Sequence, residues 1–128
     1  MLTMQRIVTA CLLTVVVSCN ALADDLGRER FMHDCAVCHG DDARGHGPRA
    51  AELERPPADL RGLRAHRGGF PAAELRALID GRDLDSAHAG RNMPLWGEVY
   101  KRNLAGLGER EVQQKLDALV EYLESIQD

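Results

Sequence analysis

Residues 32–48 read MHDCAVCHGDDARGHGP. Two cysteines stand three apart, a histidine follows the second directly, and glycines crowd the residues beyond. Three ligands use such a group: a zinc ion, a redox disulfide and a covalently attached haem. They make different demands on the rest of the chain. A structural zinc site closes with four ligands, usually drawn from two pairs. This chain has one Cys-x-x-Cys and no second pair, and His39 follows Cys38 too closely to share one ion with it easily. A thioredoxin-like redox motif belongs in a βαβ unit, and no period-2 alternation precedes Cys35. What remains is Cys-x-x-Cys-His, the attachment pattern of haem c. Two thiols at fixed spacing near a helix end can add to the two vinyl groups of a haem as thioethers. His39, the next residue, then lies under the ring and offers an imidazole nitrogen to the iron.

The start of the chain fits export. Arg6 is the only charged residue before Asp24, Ile7 to Val17 is an uncharged run, and Ala21-Leu22-Ala23 is a small-x-small site. This is the pattern of a cleaved signal peptide over residues 1–23, leaving one domain over residues 24–128. The apolar run is well short of the ~20 residues that span a bilayer. Val16-Val17-Ser18-Cys19 resembles a lipoprotein box, so anchorage through a lipidated Cys19 is the alternative, and the one route to the membrane. A periplasmic location exposes the chain to an oxidising compartment. Cleavage after Ala23 also removes Cys11 and Cys19, leaving Cys35 and Cys38 alone. A disulfide between those two would close too small a loop to stabilise much, so they read as chemical rather than structural.

The remaining pattern is helical. Residues 25–34 place Gly27, Phe31 and Cys35 at spacing four on one face. A second helix runs from Pro71 through Leu75, Leu78 and Ile79 to a stop at Gly81. A third follows Gly108, with Glu109 and Glu111 in its first turn and a stripe of Leu116, Leu119, Val120, Leu123 and Ile126. A short helix around Trp96 to Arg102 is a further candidate. Gly- and Pro-rich connections fill 40–57, 64–70 and 81–94. These are long for a small domain, as loops wrapped on a ligand are. A chain with only Phe31, Phe70, Trp96, Tyr100 and Tyr122 as aromatics is marginal alone, and a large apolar cofactor would complete its core.

With its N-terminal helix leading into CAVCHG, then PPADL, RNMPLWG and the closing LDALVEYLESI, the chain resembles the class I monohaem c-type cytochromes along nearly all of residues 24–128. The resemblance implies an all-α fold of three to five helices wrapped around one covalently bound haem c. It also implies His and Met on the two iron faces, and N- and C-terminal helices that cross where Gly27 and Phe31 meet Leu119 and Tyr122. Met93 is the candidate sixth ligand. It lies in an extended loop, and Pro94 biases it away from helix. Met32 is tethered on the His39 side. His88, in the same loop as Met93, is the rival ligand. His33, His46 and His66 read as surface or loop residues. A ligating histidine usually donates its second ring N–H to an oxygen. The resemblance gives that acceptor role to a proline carbonyl, Pro57, with Pro56 beside it. Trp96 is a candidate donor to a haem propionate, and Arg82 or Arg91 a candidate ion pair for one.

A Met/His pair favours reduced iron and leaves no axial position for a substrate. The expected role is therefore one-electron transfer between a redox-protein donor and acceptor, not enzymatic turnover. A haem subunit of a larger oxidoreductase complex, or a gas-binding sensor in which Met93 is displaced, are the alternatives. The chain is expected to be a monomer, and nothing in it suggests nucleic acid. Without residues 1–23 the net charge falls from −4 to −5, since Arg6 is lost. That charge is uneven: residues 44–82 are net positive and the flanking segments net negative. Such asymmetry can orient a protein for encounter with a partner.

Overall fold

The structure, a computed structural model, describes residues 25–82, 92–103 and 108–128, without the side chains of His66 and Arg67. The expected signal segment 1–23, with Cys19, lies outside the described residues, as do His88 and Arg91. All regular structure among the described residues is helical. Helix α1 covers residues 25–39. It winds as a π-turn over Phe31–Cys35, where Ala36 N–H bonds to the Phe31 carbonyl, and returns to α-helix over Ala36–His39. After a 3₁₀ turn at Ala50–Glu52 come α2 (Leu63–Arg67), α3 (Ala72–Asp80), α4 (Trp96–Asn103) and α5 (Glu109–Ser125). Among the described residues, no helix is long and apolar enough to cross a membrane.

Each expected helix is present, with boundaries set by local chemistry. Pro71 caps α3 rather than opening it, and Gly81 ends it in the left-handed region at φ +72°, returning its N–H to the Ala77 carbonyl. Helix α5 begins after Gly108 with Glu109 and Glu111 beside its free N–H groups. Helix α1 runs five residues beyond the expected end at 34, through the whole attachment pattern. Helix α2 and the turn at Ala50–Glu52 lie in stretches whose sequence reads as connection. Both are too short to show a repeat.

The core sits between α1, α3, α4 and α5. Phe31, Val112, Leu116, Leu119 and Leu123 are fully buried there, joined by Leu75, Ile79 and Tyr100. Gly27 lets α1 lie directly on α5. A methyl group at Gly27 would run into the Ala118 carbonyl oxygen and stand 2.7 Å from the Tyr122 Cβ. One turn on, the Phe31 and Tyr122 rings meet at 5.5 Å between centroids. Removing a ring from such a site costs ~3–5 kcal/mol.

The uneven charge seen in the sequence has an intramolecular use. Arginines of the positive segment pair with carboxylates of α5 and its tail: Arg44 and Arg61 with Asp128, Arg64 with Glu124, Arg76 with Asp117, and Arg82 with Glu109. Single exposed pairs contribute little. Together they lace residues 44–82 onto α5.

Candidate functional site

The last turn of α1 exposes four carbonyls that have no partner within the helix. The following loop satisfies all of them. Gly40, Arg49, Gly47 and Gly45 donate their N–H groups to the carbonyls of Ala36, Val37, Cys38 and His39, at 2.8, 2.9, 3.0 and 2.6 Å. This requires the loop to fold flat against the helix end. Gly40 turns at φ +82°, and a methyl at Gly47 would stand 2.6 Å from the backbone of Ala36, Val37 and Cys38. The glycine burst of the opening stretch is thus the cap that fixes the direction of Cys35, Cys38 and His39.

Those three side chains line a cavity of about 540 Å³. That is within the ~300–1,000 Å³ typical of sites for a cofactor or small molecule. Segment 53–58 and Leu60 form one wall, Leu75, Leu78 and Ile79 of α3 another, and Leu119 and Leu123 of α5 contribute from the core. Asn92, Met93, Pro94 and Trp96 close it from the second half of the chain. The surface is mostly apolar, so a flat hydrophobic group gains much from entering it.

The polar groups at its edge are few. Cys35 and Cys38 are both free thiols. Burial, with Asp34 and Cys38 adding to it, pushes the Cys35 thiol up to about 12, so it stays protonated. His39 Nδ1 lies 3.1 Å from the Ala58 carbonyl oxygen. A carbonyl only accepts, so Nδ1 carries the proton and Nε2 keeps its lone pair. Burial also lowers His39 below the ordinary imidazole value, against the opposing effect of the Ala58 bond. The imidazole is therefore neutral and set up as a donor ligand. Asp34, with its side chain only 9% exposed, accepts the Tyr100 hydroxyl at 2.8 Å and faces Arg30 and His33.

Several sequence expectations shift. The acceptor for His39 is Ala58, not Pro57 or Pro56. Pro57 still lines the cavity, but its carbonyl is packed against Gly45, which fixes it one residue away from the imidazole. Arg82 is not among the cavity residues. Its guanidinium donates to both oxygens of Asp80, at 2.6 and 2.9 Å, and to both of Glu109, at 2.8 and 2.6 Å. A methyl at Gly97 would collide with that pair, so α4 packs on it through bare backbone. Met32 is 41% exposed and absent from the cavity, whereas Met93 is half-buried against the core. Trp96 lines the cavity and packs on Tyr100 at 5.7 Å. His33 and His46 are exposed. The rival ligand His88 and the alternative cation Arg91 lie outside the described residues. Ala58, Asp34 and Tyr100 were not singled out by sequence. A backbone acceptor leaves no side-chain signal, and the Asp34–Tyr100 bond spans 66 residues.

An apolar cavity bordered by two free thiols, a neutral imidazole and a thioether has the donor set of a c-type haem pocket. Among the described residues, no three His, Cys, Asp or Glu side chains gather as they would around a bare metal ion. The cytochrome c family model matches residues 25–127, and the chain belongs to that family. Membership implies covalent haem c, electron transfer rather than enzymatic turnover, and redox partners. Comparison with curated proteins and with solved structures returns no match.

Proposed function

We propose that the chain is a periplasmic one-electron carrier in which Cys35 and Cys38 hold one haem as thioethers, and His39 and Met93 are its axial ligands. The observation that carries this reading is the pairing of donors. His39, with Nδ1 committed to Ala58, and Met93 border one cavity from separate elements. The bound haem would supply the electron-accepting centre, its iron alternating between Fe(III) and Fe(II). The chain would do the rest. The capped end of α1 holds the two thiols in register. The Ala58 carbonyl orients the imidazole and raises its basicity. The Met93 sulfur, soft and neutral, favours the reduced state and raises the potential. The walls from α3 and α5 exclude water, which disfavours the more highly charged state. Residues 1–23 would direct export and then be removed.

Met93→Ala tests the ligation. The reduced variant should bind carbon monoxide, which the parent should resist. Its potential should also fall, by about 59 mV for each tenfold change in the ratio of oxidation states. His88→Ala should do neither. The reverse pattern would assign the sixth position to His88.

A further inference from the structure

The Ala58 carbonyl faces His39, yet Ala58 is itself exposed and its side chain is only a methyl group. Packing of Pro57 against Gly45 holds it from one side, and on the other its position depends on what holds the residues that follow. Leu60 donates its N–H to the Ala43 carbonyl at 2.8 Å. Among the described residues, the other long-range hydrogen bonds and ion pairs on residues 59–64 lead, directly or through Arg44, to the end of α5 and its tail. The Gln127 side-chain amide donates to the Leu60 carbonyl at 2.7 Å, and its oxygen accepts the Arg64 N–H at 3.0 Å. Asp128 donates its backbone N–H to the Arg61 carbonyl at 3.0 Å. Its carboxylate accepts Arg61 Nε and an Arg44 guanidinium nitrogen, both at 2.9 Å. Arg44 in turn reaches Asp59, the neighbour of Ala58, at 3.5 Å. Asp59, Arg44, Asp128 and Arg61 thus form one chain of alternating charge, and the Arg61 backbone N–H returns to Asp59 at 2.9 Å. The Arg61 and Arg44 bonds hold the Asp128 carboxyl below its usual range.

We propose that Gln127 and Asp128 are positioning residues for His39: by clasping residues 59–61 they hold the Ala58 carbonyl on Nδ1 and thereby set the donor strength of the imidazole. This rests on the haem reading above. The physical link is short. A strong Nδ1–H···O bond makes the imidazole more electron-rich, and an electron-rich ligand stabilises Fe(III) over Fe(II). A loosened clasp lengthens that bond, weakens the donor and shifts the balance toward Fe(II). The tail is thus coupled to the redox centre through one backbone carbonyl, without touching the cavity.

The test uses the purified holoprotein and three variants. Gln127→Glu keeps the acceptor for Arg64 but removes the donor to Leu60. Asp128→Asn weakens the charged chain at its centre. Val112→Ala is the control, since Val112 is fully buried in α5 but lies away from the cavity. Each is measured by spectroelectrochemical titration and by thermal unfolding. Both clasp variants should raise the potential, the ratio of Fe(II) to Fe(III) changing by roughly threefold to tenfold at fixed solution potential, where tenfold is about 59 mV. The His39 ring N–H should also exchange faster with solvent in both. Val112→Ala should lower the melting temperature and leave potential and exchange unchanged. Clasp variants that lower stability but keep the parent potential would overturn the proposal, as would an equal shift in Val112→Ala. A parent protein with no haem, or one that keeps His/Met spectra after His39→Ala, would instead overturn the haem reading, and the clasp with it.

Discussion

Gly27→Ala probes the contact on which the helix pair closes. The added methyl would enter the Ala118 carbonyl oxygen and approach the Ala118 carbonyl carbon to 3.0 Å and the Tyr122 Cβ to 2.7 Å. Two of those three atoms are backbone, so no rotamer change relieves the clash and α1 must lift from α5. Overpacking of this kind costs ~1–3 kcal/mol. The obstruction is rigid, so the upper half of that range applies. Alanine recovers up to ~1 kcal/mol over glycine in helix propensity. The net loss is then about 1–2 kcal/mol, a fall in melting temperature of roughly 5–15 °C for a domain of this size. Gly69→Ala is the matched control. No atom lies within 4 Å of its added methyl and its φ is not left-handed. It should be neutral, or stabilising by up to ~1 kcal/mol through the unfolded chain. Thermal unfolding of both holoproteins, followed by far-ultraviolet circular dichroism and treated as two-state, decides the matter. A Gly27→Ala protein that melts with or above its parent would refute the close approach of α1 and α5.

The Arg82 junction gives a pH signature. The Arg82 guanidinium, with help from Gln113, lowers the Glu109 carboxyl to about 2. An unfolded glutamate titrates near ~4.3, so Glu109 stabilises the fold above that value and the contribution disappears as pH falls toward about 2. Glu109→Gln should flatten the acid side of the stability curve in that window, and an unchanged slope would count against the junction. Tyr100→Phe should cost ~1–3 kcal/mol in a urea titration, because it leaves the largely buried Asp34 carboxylate one donor short. A neutral result would mean that Arg30, His33 or water fully replaces the phenol.

Much of this architecture was legible in the sequence because it rests on side-chain repetition and end signals. Helix α5 combines an acidic first turn with a long apolar stripe, and α3 is bracketed by Pro71 and Gly81. The spacing of Gly27, Phe31 and Cys35 put them on one helix face, and the family resemblance implied that this face meets α5. The attachment pattern identified three residues of the cavity, and Pro94 drew attention to Met93. What was not legible depends on the backbone or on distant partners. The π-turn at Phe31–Cys35 is a change in hydrogen-bond register with no compositional mark. The His39 acceptor is a carbonyl, and carbonyls at 57 and 58 cannot be told apart by residue type. Arg82 had the composition of a cofactor-binding cation, but folding brings Glu109 to it from 27 residues away. The positive excess of residues 44–82 suggested steering of a partner, yet most of its arginines meet carboxylates of the same chain.

The proposed role of the cavity depends on Cys35 and Cys38 carrying one haem covalently. Its most direct test is mass spectrometry of the peptide spanning Cys35 to His39, taken from purified protein after extraction with acidified acetone. The expected peptide is heavier by one haem, with both cysteines protected from alkylation. A peptide of unmodified mass with both thiols alkylated would contradict it.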